Sequence, residues 1–331
     1  TAVEAWFKIL IEQIYPRFLT EKHRFDLDFF ITKAEQVLLR FTLLHFFSLL
    51  FLHYLFKKED LKFWNISISS SKVVFLQIWL SVVWAYESLT WYKSLLRLGK
   101  ASAFYEPYFL LKIFDFPSET TLFWLFGALY LLLVLSFVPK ISVWAWSTAV
   151  ILLLILQGFL YGFGKIDHTY TTWAYVSTIF LFLLQEKNKS ETNETNAWAL
   201  RLMQVVIAMV YLQTGIEKLL IGGLNWFEPA TMQTHLLAHP TTIGLFLANS
   251  ELICVLMSIF VMVLEIGFPL ILFYPKLKIP ILLMGLAFHT GTFVLLGVGG
   301  FPSLWWLIYI IWFLEFKTNN FKFYDKNSRP S

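Results

Sequence analysis

The stretch 215–226, "GIEKLLIGGLNW", closes an apolar run with an acid and a base side by side, Glu217 and Lys218. Ionisable groups inside hydrocarbon-like segments are costly, and each points to a function by default. A lysine held in an apolar pocket is desolvated, which disfavours the ammonium and yields an amine able to accept a proton near neutral pH. The structural alternative is a lysine that snorkels to the surface one turn before the Gly222-Gly223 break and complements the negative end of its helix. Adjacent helix residues do not face each other, so Glu217 can point elsewhere.

Three other ionisable residues join Lys218. His168, beside Asp167 in "GKIDHTYTTWAYV", stands at a helix start. It is either a solvated neighbour of a capping aspartate or a hydrogen-bond partner for a substrate oxygen. Glu265 in "VMVLEIGFPLILF" and His289 in "LLMGLAFHTGTFVLL" lie too deep in their segments for snorkelling. They either serve chemistry or pair with each other to lock two helices. Gly267-Phe268-Pro269 would kink the helix after Glu265 and open room for a cavity. His235 and His239 have the i, i+4 spacing of a metal-binding pair, but no Glu lies between them and the seven histidines are scattered. No metal is therefore expected. Trp226, Phe227 and Pro240 in the same loop suit an interfacial re-entrant segment or lid. The sole cysteine, Cys254, reads as a small buried side chain. No P-loop, dinucleotide fingerprint, Gly-x-Ser-x-Gly elbow or haem-attachment motif is present.

These residues need a frame, and composition supplies its class. Of 331 residues 58% are hydrophobic and 15% charged, against ~45–50% and ~25% in soluble domains. Apolar stretches long enough to cross a bilayer recur, and a net charge of +4 gives no reason to expect nucleic acid. The expected fold is an all-α integral membrane bundle, because lipid tolerates no unpaired backbone. Spans are placed at about 36–56, 73–92, 121–138, 142–163, 169–185, 197–221, 251–274, 279–297 and 303–316, which makes eight or nine transmembrane helices. Before them, Phe7, Leu10, Ile11, Ile14 and Phe18 share one face of an N-terminal interfacial helix. The domain plan is an interfacial helix and polar segment at 1–35, a transmembrane domain at 36–316 and a polar tail at 317–331. Short basic loops alternate with longer amphipathic ones, which places the basic set in the cytoplasm. Lys218 and His168 then face the non-cytoplasmic side of a plasma, inner or ER-like membrane.

Taken in order, these elements resemble the HTTM membrane-domain family, which includes the membrane portion of vitamin K-dependent γ-glutamyl carboxylase. "YLQTGIEKLLIGGLNWFEPATM" is similar to the carboxylase segment in which Gly, an aliphatic residue, a pair ending in Lys, and Leu precede a Trp. Lys218 matches the second lysine of that pair, Glu217 replaces the first, and the gap to Trp226 is longer. "DHTYTTWAYV" and "AFHTGTFVLLGVGGFPSLWW" resemble two further stretches and carry His168 and His289, and Glu265 falls where an acid precedes Gly-Phe. The resemblance spans roughly 36–316. It implies a reduced vitamin K or related isoprenoid quinol as cofactor, with O2 and CO2 as co-substrates. Lys218 would deprotonate the quinol, His168 and His289 would bind its oxygens, and Glu265 and Trp226 would support them. Epoxidation of the quinol would be coupled to carboxylation of a peptide glutamate. The carboxylase's large non-membrane portion has no counterpart in this sequence, so the peptide would be free-standing or presented by a separate protein. A non-enzymatic role in the maturation, binding or export of a peptide such as a bacteriocin or toxin is the alternative. A transporter is disfavoured by the absence of duplicated halves.

Overall fold

The computed structural model describes residues 61–107, 109–163, 168–299 and 303–315, with isolated positions between 5 and 46. The proposed N-terminal interfacial helix, the span at 36–56, the capping role of Asp167 and the tail at 317–331 lie outside the described residues.

Helices dominate. In chain order they are α1 (Ser70–Gly99), α2 (Glu119–Leu135), α3 (Ser142–Tyr161), α4 (His168–Lys189), α5 (Trp198–Gly222), α6 (Pro229–Ala238), α7 (Thr242–Ala248), α8 (Glu251–Gly267), α9 (Lys278–Leu296), α10 (Leu304–Ile308) and α11 (Ile310–Phe313). Their ends follow local chemistry. The Ser118 hydroxyl accepts from the Thr121 N–H and caps α2, and Thr241, Ser250 and Ser303 cap α7, α8 and α10 in the same way. The helix α5 stops at Gly222 because Gly223 turns to φ 55°. At Gly267-Phe268-Pro269 the helix α8 ends and tightens into a 3₁₀ turn, Phe268–Leu272, with Pro269 near its start.

Five segments are long and apolar enough to cross a membrane: Ser70–Gly99, Ser142–Tyr161, Trp198–Phe227, Glu251–Leu272 and Pro275–Leu296. Eight or nine spans was thus an overcount among the described residues. Glu119–Leu135 and Leu304–Phe313 are apolar but short. The helix α4 has the length, but Thr and Tyr at its start and "QEKNK" at its end dilute its hydropathy. The all-α expectation also needs one amendment. Ser67–Ser69 (β1) and Glu194–Asn196 (β2) pair antiparallel, with Ile68 opposite Thr195, in what composition suggested was only polar loop. That ribbon ties the entrance of α1 to the entrance of α5.

The main core lies where α1–α5 and α8–α11 converge, and it is rich in indoles that find partners. Trp84 Nε1 donates to Ser177 Oγ at 2.7 Å and Trp146 Nε1 donates to the Ser177 carbonyl at 2.9 Å, which pins α1 and α3 to α4. Many large apolar side chains face outward, among them Val134 and Val263, as expected of helices facing lipid. At the ribbon end, Glu315 receives Arg201 at 2.7 Å and Lys278 at 3.3 Å, and Lys72 Nζ donates to the Leu314 carbonyl at 2.8 Å.

At the other end, Tyr105 packs against Phe116 and Phe163, and an added Cβ on Gly162 would meet its ring at 2.3 Å. The Tyr105 hydroxyl is buried without a hydrogen-bond partner among the described residues. Burial pushes this phenol from 10.0 up to about 12. Its neutral form therefore contributes stability in full below pH 10, and that contribution is lost as the pH rises toward 12. Tyr105→Phe should change thermal stability by less than ~1 kcal/mol at pH 8, since no bond is lost. It should also flatten the stability decline above pH 10. Melting curves at pH 8 and pH 11 check both.

Candidate functional site

The helices α5 and α8 cross at Gly215. An added Cβ there would lie 2.9 Å from Ile266 Cγ1 and 3.0 Å from Glu265 Cβ, so only glycine permits this approach. The crossing brings two polar groups together, one on each side of it along α5.

Three residues after Gly215 comes Lys218, whose Nζ pairs with Glu265 Oε1. The Lys218 ammonium also sits over the Trp226 ring, 5.4 Å from its centroid, supplied by the turn after α5. The carboxylate is deeply buried, at 4% exposure, while Lys218 keeps 25%. Glu265 Oε2 is buried with no hydrogen-bond partner among the described residues. The Thr214 hydroxyl, one turn before Lys218 on α5, stands beside the same carboxylate, so Oε2 lacks a well-formed hydrogen bond rather than any polar neighbour. An unsatisfied buried oxygen of this kind is costly unless something fills it.

One turn before Gly215, Tyr211 stacks on Phe268 at 4.0 Å between centroids, and its hydroxyl joins a short chain. His289 Nε2 lies 2.6 Å from the Tyr211 oxygen, and the Tyr309 oxygen lies 2.5 Å from it on the other side. With the neutral imidazole accepting at Nε2, Tyr211 donates to His289 and Tyr309 donates to Tyr211. The His289 ring lies flat on Trp305 at 5.4 Å, and Gly285 leaves room for the Tyr309 hydroxyl.

Of the residues singled out in the sequence, the structure joins Lys218, Glu265 and Trp226 in one group and places His289 in the second. Glu265 pairs with Lys218 and not with His289. His168 opens α4, next to Tyr170, whose hydroxyl donates to Glu87 Oε2 at 3.3 Å. The His168 side chain lies outside what the structure describes. His239 falls beyond the end of α6, so the His235/His239 pair does not share a helical face. Among the described residues no group of three or more His, Cys, Asp or Glu could hold a metal ion.

Tyr211 and Tyr309 were not anticipated, because a tyrosine in an apolar run reads as an interfacial aromatic. Two signals pointed to them: Tyr211 precedes Lys218 by seven residues, on the same helix face, and Gly285 precedes His289 by four.

A cavity of about 230 Å³ bounded by α6, α8 and α9 shares two helices with these groups, although none of their side chains lines it. Val261 in its wall lies one turn before Glu265, and Phe288 directly precedes His289. Its volume is below the ~300–1,000 Å³ of ordinary small-molecule sites. No family model matches the chain, and no curated protein or solved structure is significantly similar to it.

Proposed function

We propose that this chain is a membrane-embedded protein that takes a proton from a quinol-type hydroxyl within its helix bundle. One observation carries the proposal: the unfilled Oε2 of Glu265, buried beside a cation that is already in place. The resemblance to the γ-glutamyl carboxylase membrane domain supplies the substrate class, an isoprenoid quinol, and the oxidant, O2.

In the step itself the quinol O–H gives its proton to Glu265 Oε2. The bonding electron pair stays on the quinol oxygen, and the Lys218 ammonium balances the charge that develops there. No oxidation state changes until the quinolate meets O2. Roles are exchanged relative to the sequence expectation: Glu265 is the base and Lys218 the electrostatic partner, since Lys218 Nζ already pairs with Glu265 Oε1 and lies over the Trp226 ring. Carboxylation of a peptide glutamate would require a separate peptide or presenting protein, and the pocket would open toward the non-cytoplasmic side.

Oxygen consumption by purified protein in nanodiscs with reduced vitamin K tests the reading, with epoxide followed by chromatography. Glu265→Gln keeps the shape and removes the base. It should lower turnover by about 10²-fold or more while the fold persists. Equal turnover in Glu265→Gln would remove it from this role. No turnover by the unaltered protein with any quinol would leave the pair as a clamp between α5 and α8.

A further inference from the structure

We infer that the cavity between α6, α8 and α9 binds a hydrocarbon chain that enters sideways from the bilayer, past α9 on the side where Gly291 carries no side chain. The walls set the ligand's chemistry. Met232, Met257, Phe260, Val261 and Phe288 present only carbon and sulfur, and adaptable Met side chains suit a flexible chain. The one hydroxyl in the lining, that of Thr292, donates to the His289 carbonyl at 2.9 Å. Nothing in the lining is left to recognise a polar head.

The route is a property of α9. Ala287, Gly291 and Leu295 line the cavity and also a groove on the outer face of the same helix. They recur every four residues, as one stripe along the helix. Exposed Leu283, Leu286 and Val294 flank the groove. A Cβ added at Gly291 would meet nothing within 4 Å among the described residues, so no side chain stands in the passage between groove and cavity at that position. A hydrocarbon chain lying in the groove therefore has an unobstructed way round α9 there. Apolar lining, an opening toward apolar helix surface and a void that forfeits dispersion contacts when empty all select the same occupant.

Such a chain has two sources, a phospholipid acyl tail or the prenyl tail of a quinol, and photolabelling separates them. The protein is reconstituted in nanodiscs containing either phosphatidylcholine with a diazirine in its acyl chain or a farnesyl benzoquinone with a diazirine in its tail. After irradiation, adducts are mapped by peptide mass spectrometry. At least one probe should label Met257 or Phe260 on the inner wall. That labelling should fall at least tenfold in Gly291→Phe, while adducts at Leu283 and Leu286 persist. Met257→Trp fills the cavity from the opposite wall and should give the same loss without touching α9. Size-exclusion profiles identify any variant that fails to fold. Adducts confined to Leu283, Leu286 and Val294 in the unaltered protein would overturn the inference, as would inner-wall labelling unchanged by both substitutions. Labelling requires no turnover, so its outcome is independent of the acid–base role of Glu265.

Discussion

Lys218→Met should destabilise the protein by about 3–5 kcal/mol, the loss expected when one partner of a buried ion pair is removed. The reason lies in Glu265, which would be left as a buried carboxylate without the cation that balances its charge. The converse change should cost less. Glu265→Leu leaves a cation that is 25% exposed and still has the Trp226 face beneath it, so a loss of roughly 1–2 kcal/mol is expected. The double change, with both charges replaced by apolar side chains, should recover most of the Lys218→Met deficit. The chain supplies its own reporter: Cys254 is the sole cysteine and is buried, so a thiol-reactive dye follows unfolding in detergent. A neutral Lys218→Met would mean that the pair contributes nothing to holding α5 against α8.

Gly285→Ala should cost roughly 2–5 kcal/mol, a large effect for one methyl group. The new Cβ would stand 2.2 Å from the Tyr309 hydroxyl and 2.9 Å from Cζ. Tyr309 is buried, so its ring has no free direction to take. Moving it would break the bond to Tyr211 and loosen the contact between α9 and α10. Tyr309→Phe removes the closest atom but not the ring carbons, so the double Gly285→Ala/Tyr309→Phe should recover only part of the loss. Strictly additive single changes would show that the clash is relieved elsewhere.

Much of this frame was legible in the residues. Apolar run lengths located α1 to α5, α8 and α9, and Ser118, Gly222-Gly223 and Pro269 marked where helices start or change. Lys218 and Glu265 stood out because charge in an apolar segment demands a partner. Their mutual pairing was one of two options, and nothing in spacing along the chain favoured it over a Glu265–His289 pair. The choice is made by Gly215, whose missing side chain lets α5 and α8 approach at Glu265. The tyrosine chain was harder to see for a related reason: a phenol carries no charge, so only the spacings Tyr211–Lys218 and Gly285–His289 hinted at it. The ribbon of β1 and β2 was equally obscure, since it joins three-residue stretches more than a hundred positions apart. The span count failed at α2, α4 and α10–α11, where length and hydropathy give conflicting signals.

Biogenesis imposes an order on the charges around Glu315. Translation delivers Arg201 on α5 and Lys278 on α9 before the segment 304–315 exists. Until that segment docks, both cations lack the carboxylate that neutralises them. Lys72 likewise lacks the Leu314 carbonyl. The arrival of one short segment therefore satisfies donors on three helices made earlier. A nascent chain halted before residue 304 therefore differs from one that has passed residue 315 by one uncancelled charge at the ribbon end, where two cations await a single carboxylate.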